Sequence, residues 1–198
     1  MLNFLLLGYH NLPEATAKAF LEYPQGSGNR AYRTGDLVRM MPDTSLEIMG
    51  RIDQQVKYRG VRLETEGISS ILHTAAASAT GQQELEDEDK DLSVTTFITT
   101  HPNLSGQELL ISVVAPATSS SKRSSVPKIR SATPSTLNLV RVLKKAVDEQ
   151  LPPYMRPAYI LPIDFIPLTL NGKTDKKKLE FVFRECDVKT LLEVQGGR

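Results

Sequence analysis

Three short stretches of this sequence carry side chains whose types and spacing could do chemistry. In Tyr32-Arg33-Thr34-Gly35-Asp36-Leu37 an aspartate follows a glycine at the start of a predicted strand. A carboxylate placed there can accept two hydrogen bonds at once, which suits a vicinal diol such as a ribose. In the stretch from Gly50 to Glu64, reading GRIDQQVKYRGVRLE, basic side chains alternate with apolar ones, so one strand face is positive. In Leu170-Asn171-Gly172-Lys173-Thr174-Asp175-Lys176 the Asn-Gly pair favours a tight turn with positive φ, which puts Lys173 at an exposed tip. A compact ammonium there can reach developing negative charge. Taken singly, each stretch has a plainer reading: a turn, an edge strand guarded by Lys and Arg, and a solvated surface lysine.

The elements around these stretches must hold them. Pro13 and Glu14 suit a first helical turn, and Ala15, Ala17, Ala19, Phe20 and Leu21 predict a short apolar helix ending near Pro24 and Gly26. Short strands with Gly and Asp punctuation follow from Tyr32 to Arg62. Ile68, Ile71, Leu72 and Ala75 predict a helix over 64–77, and 93–99 and 108–115 read as two strands. Leu139, Val142, Leu143, Ala146 and Val147 form one stripe of an amphipathic helix over 136–150, and 158–163 reads as a further strand. The acidic run 82–91 is expected to be a solvated loop, because like charges repel and bury nothing. The Ser/Thr/Pro-rich stretch 117–135 is expected to be a flexible insertion. Residues 1–7 read as a buried strand rather than a signal segment, and residues before 50 hold too little to close a core of their own.

Composition narrows the function classes. The chain has 198 residues, with 24 Lys and Arg against 23 Asp and Glu, a net charge of +1. Such neutrality argues against nucleic acid as the main partner. No apolar run approaches the ~20 residues that cross a bilayer, so no membrane partner is expected. The single cysteine, Cys186, excludes an internal disulfide framework and a Cys-rich zinc site and suits a reducing, cytoplasmic setting. His10, His73 and His101 show no metal-ligand spacing, so no metal site is assigned.

In their order the motifs are far more specific than singly. The chain resembles the C-terminal end of the adenylation domains of nonribosomal peptide synthetases, within the acyl-adenylate-forming superfamily. That family carries YRTGDL, GRxDxQVKxRGxRxE, LPxYMxP and NGKxDR, which stand here as residues 32–37, 50–64, 151–157 and 171–176. The resemblance runs from about Gly8 to Leu179. It implies an α+β fold: a small C-terminal subdomain, with a short antiparallel or mixed sheet and flanking helices, preceded by a remnant of the large core. The boundaries expected are 1–52 for the end of the core, 53–180 for the mobile subdomain with insertions at 82–91 and 117–135, and 181–198 for a linker or tail.

The resemblance also implies roles. Asp36 would bind the ATP ribose hydroxyls and Arg51 would contact the nucleotide. Asp53 would be the hinge, Gly60 would lie near the pantetheine tunnel, and Lys173 would bridge the substrate carboxylate and phosphate-side oxygens during adenylation. ATP and Mg²⁺ are implied as cofactors, together with a phosphopantetheine arm on a peptidyl carrier protein, an amino acid substrate and the missing adenylation core. The phosphate loop, the amino-acid pocket and the Mg²⁺ ligands are expected upstream, so the chain alone is expected to be inactive. Tyr58, Gly67 and Lys176 depart from the family pattern. Two alternatives stay open: a non-catalytic module that binds a synthetase core or carrier protein, and a fragment of an acyl-CoA ligase type.

Overall fold

A computed structural model describes residues 7–51, 55–79, 85–117 and 125–197, with the side chains of Gly50 and Arg51 left aside. Of the strand expected over 1–7, all but Leu7 lies outside these residues. The chain divides into two units, residues 1–54 and 55–198.

In the first unit, helix α1 (Pro13–Ala19) has Pro13 and Glu14 in its first turn and Lys18 in its last. It is shorter than its apolar pattern suggests. Phe20 and Leu21 leave the helix for strand β1 (Phe20–Glu22), which pairs antiparallel with β2 (Arg30–Tyr32). Aromatic contacts favour the strand: the Phe20 ring lies 5.0 Å from Tyr32 and 5.8 Å from Tyr9, and the Arg30 guanidinium sits 4.8 Å from its centroid. Strands β3 (Asp36–Met40) and β4 (Leu46–Arg51) form an antiparallel hairpin. No described residue of this unit is fully buried.

The second unit opens with a hairpin of β5 (Gln55–Tyr58) and β6 (Val61–Glu64). Its two-residue turn has Arg59 at φ 48° and Gly60 at φ 83°, the double positive φ of the turn that matches strand twist. Helices α2 (Thr65–Ala77) and α3 (Asp87–Lys90) follow, then strands β7 (Leu92–Thr99) and β8 (Leu109–Pro116). Helix α4 (Pro134–Gln150) crosses to β9 (Tyr159–Pro162), and α5 (Lys176–Glu185) and α6 (Val188–Val194) close the chain. The sheet order is β7-β8-β9, with β8 antiparallel to β7 and parallel to β9.

Strand β8 is buried on both faces, as its apolar run, interrupted only by Ser112, requires. Leu110 and Val114 join Ile68 and Leu72 of α2, Leu139 and Leu143 of α4, and Tyr58 and Leu63 of the hairpin. Ile111 and Val113 face the other way, onto Leu179 and Phe183 of α5 and Leu191 of α6. Between α2 and the sheet runs a chain of hydroxyls, Ser69 to Thr96 at 3.2 Å and Thr96 to Ser112 at 2.8 Å, so these interior polar groups are mutually satisfied.

Three expectations need correction here. The acidic run is not simply a solvated loop: Asp87–Lys90 is a helical turn and Asp89 is completely buried. Its carboxylate takes two hydrogen bonds from the Arg130 guanidinium, at 2.5 and 3.2 Å, a partner far along the chain that offsets the desolvation. Arg130 belongs to the stretch expected to be flexible. Residues 128–130 instead run antiparallel to 162–164, with Ile129 bridged to Ile163, and Thr133 caps α4 through its hydroxyl. Residues 118–124 of that stretch lie outside the described residues. Finally, residues 181–197, expected as linker or tail, contribute Phe183, Leu191 and Val194 to the interior, each no more than 1% exposed.

Candidate functional site

The candidate residues fall in both units. Asp36 is the first residue of β3, and Gly35 ahead of it adopts φ 80°, turning the chain sharply into the strand. The Asp36 amide donates to the Thr34 hydroxyl at 3.2 Å. Across the hairpin Asp36 is the register partner of Arg51, so a carboxylate and a guanidinium residue stand at facing positions. This pairing depends on an irregularity between Leu37 and Val38, where the register shifts by one residue. Asp36 also lines an open cleft of about 680 Å³ with Ala15, Lys18, Ala19, Arg33, Thr34 and Gly35. Lys18 and Arg33 are cations that sequence reasoning did not single out; the signal was Arg33's place inside the Tyr32–Leu37 motif. The hinge candidate Asp53 lies outside the described residues.

In the second unit Gly60 sits at the tip of the β5–β6 turn. A Cβ placed there would meet no atom within 4 Å, so the turn conformation, not crowding, calls for glycine. Lys57 and Arg62 are register partners on the outward face of this hairpin, and Arg59 packs its guanidinium 5.0 Å from the Tyr58 ring.

Lys173 lies on an exposed but well-tied loop. The Thr169 amide donates to the Lys173 carbonyl at 2.7 Å, the Gly172 amide to the Thr169 carbonyl at 3.0 Å, and the Lys173 amide to the Thr169 hydroxyl at 3.3 Å. Gly172 takes φ 76° and Leu168 bridges to Thr174, closing the loop at its base. Asp175 then caps α5 by accepting from the Lys178 amide at 3.3 Å. The backbone is thereby fixed while the ammonium reaches into solvent. The Leu151–Pro157 segment serves the fold, because Arg156 donates to the carbonyls of Leu151 and Asp148 at 2.9 and 2.7 Å and so satisfies the end of α4.

Among the described residues no group of three or more His, Cys, Asp or Glu could hold a metal ion, and no helix is long and apolar enough to cross a membrane.

No family model matches the chain. Relatives do. The chain is 44% identical over 189 residues, 93% of its length, to nonribosomal peptide synthetase NPS2 of Ceriporiopsis subvermispora, and 42% identical over 93% of its length to coprinoferrin synthetase of Coprinopsis cinerea. It is 35% identical over 87% of its length to surfactin synthase subunit 2 of Bacillus subtilis. It spans about 7% of the length of the first two and 4% of the third. Among solved structures, IdnL1 is similar with a TM-score of 0.50 at 26% identity, over 82% of this chain and 27% of that one. A nonribosomal peptide synthetase protein containing adenylation and carrier domains, PA1221, shares the fold with a TM-score of 0.51 at 23% identity, over 92% of this chain and 29% of that one. The mixed sheet with helices on both faces is therefore the small end of an adenylation-domain fold. The chain belongs to the nonribosomal peptide synthetases, as the C-terminal part of an adenylation domain.

Proposed function

We propose that this chain supplies the closing strands and the mobile unit of an ATP-dependent amino-acid-activating module. The reaction joins an amino-acid carboxylate to AMP with release of pyrophosphate. The acyl group then passes to the thiol of a pantetheine arm on a carrier protein, the bond to AMP breaking as the thioester forms. The observation that carries the reading is the register pairing of Asp36 with Arg51 beside a cleft that also holds Lys18 and Arg33. That donor set fits a nucleotide: a carboxylate accepts ribose hydroxyls, and cations balance phosphate charge. Lys173 acts by electrostatics on charge that develops during adenylation, and its tied loop limits the reorganisation needed when it does so. Gly60 keeps the hairpin tip open for the pantetheine arm, and Asp53 is the hinge between the units. A cytoplasmic setting belongs to the same proposal.

The test supplies the preceding core, by fusion or as a separate chain, and follows both half-reactions. The 198-residue chain alone is expected to give no ATP–pyrophosphate exchange with any amino acid. With the core present, Lys173→Ala lowers exchange by ~10²–10³-fold and spares thioester formation from a preformed acyl-adenylate. Asp36→Ala mainly weakens ATP binding, because a ribose contact exists in ground and transition states alike. Equal slowing of both half-reactions by Lys173→Ala would overturn the role given to this lysine.

A further inference from the structure

Strand β9 pairs with β8 along one side only, so its other edge would present unpaired backbone groups. Two segments remote in sequence close that edge. Toward its C-terminal end, the Arg130 amide donates to the Pro162 carbonyl at 2.9 Å and the Asp164 amide to the Lys128 carbonyl at 3.1 Å. Pro162 itself has no amide to satisfy. At Ile160 the partner is a side chain: the Gln195 carboxamide accepts from the Ile160 amide at 3.3 Å and donates to the Ile160 carbonyl at 2.7 Å. One glutamine thus supplies both halves of a strand neighbour's hydrogen bonds.

Gln195 is itself held in place. It follows α6, whose Leu191 is buried with Ile111, Val113 and Leu161 of the sheet and whose Val194 is buried as well. The helix ends in a tight cap, with Gly196 at φ 78°, its amide bonded to the Glu193 carbonyl, and the Gly197 amide bonded to the Leu192 carbonyl. From α4 the Lys144 ammonium donates to the Gln195 carbonyl at 3.0 Å. A seven-residue helix is marginal on its own in water, so these contacts hold it.

We propose that residues 187–197 are a latch and not a tether. They lock this stretch into the body of the second unit, so a polypeptide continuing past residue 198 is launched from beside α4 and β9 and travels with that unit. The inference stands on the packing and holds whether or not the adenylation reading does. If that reading also holds, a following carrier moves with the small unit instead of swinging from residue 181.

Residue-resolved amide hydrogen exchange on the full chain tests the latch. In the wild type, the amides of Leu191 and Gln195 exchange far more slowly than in an unstructured peptide. Gln195→Ala speeds exchange at Ile160 by at least about tenfold, since that amide loses its acceptor, and leaves β7 and the centre of β8 unchanged. Unprotected amides over 188–197 in the wild type, or an Ile160 amide indifferent to Gln195→Ala, would overturn the proposal. Should Gln195→Ala lose protection throughout the unit, Lys144→Met gives the decisive reading, because it removes only the ammonium on the Gln195 carbonyl. A selective rise in exchange over 188–197 then supports the latch, and no change there refutes it.

Discussion

Replacing Arg130 by methionine would leave the Asp89 carboxylate buried without its guanidinium. In the wild type Arg130 is 18% exposed and Asp89 not at all. Burial works against the Arg130 charge, but the hydrogen bonds and charge of Asp89, aided by Glu88 and Glu86, outweigh it and push the guanidinium pKa above its ordinary value. Breaking a buried pair from one side typically costs about 3–5 kcal/mol. The expected loss is therefore ~3–5 kcal/mol, a fall in Tm of about 10 °C or more for a unit of this size. Adding Asp89→Asn to Arg130→Met removes the buried charge and should recover part of the stability at pH 7. Thermal unfolding of the wild type and both variants at pH 7 measures each quantity. A Tm for Arg130→Met within about 2 °C of wild type at pH 7, or no recovery on adding Asp89→Asn, would show that the pair does not anchor the segment.

Two more outcomes follow from local geometry. Gly60→Ala forces a Cβ into φ 83° but into open space, so it should cost only ~1 kcal/mol, read as a small fall in urea midpoint; unchanged stability would refute the strain. Burial, with the Asp187 charge adding to it, pushes the Cys186 thiol up, so iodoacetamide at pH 7.5 should label the folded chain about tenfold more slowly than the urea-unfolded one, and equal rates would contradict this.

What was legible in the sequence was whatever local pattern decides. The stripe Leu139, Leu143, Val147 became one buried face of α4, and the alternation in Gln55–Tyr58 became a half-buried strand. The Asn-Gly pair does make a turn and Lys173 is exposed, but Lys173 stands on the closing side of that turn, its carbonyl bonded to the Thr169 amide, and not at the tip. What was not legible depended on partners far along the chain. Asp89 and Arg130 are 41 positions apart, and nothing in an acidic run or a Ser-rich stretch says that one member of each will find the other. Ile160 and Gln195 are 35 apart, and a glutamine near a chain end ordinarily reads as solvated. Phe20 continues a helical pattern, but pairing with Tyr32 across β1–β2 overrides its weak helix preference. In the cleft, Lys18 joins Asp36 only because α1 and the β2–β3 connection come together, the Arg33 amide bonding to the Ala19 carbonyl at 2.8 Å.

The three chemistry-bearing stretches share one construction, which explains why they could be picked out at all. Gly35 precedes Asp36 at φ 80°, Gly172 precedes Lys173 at φ 76°, and Gly60 follows Arg59 at φ 83°. In each, a glycine takes a positive φ, short-range contacts hold the backbone, and the charged residue beside it is exposed. A buried ion pair such as Asp89–Arg130 must find two partners at once and uses its charge inside the fold. A charge on an exposed turn keeps much of its hydration and needs no distant partner to do so. Exposed charges set on turns therefore follow local turn chemistry, which sequence displays, whereas charges that complete the fold need distant partners, which it conceals.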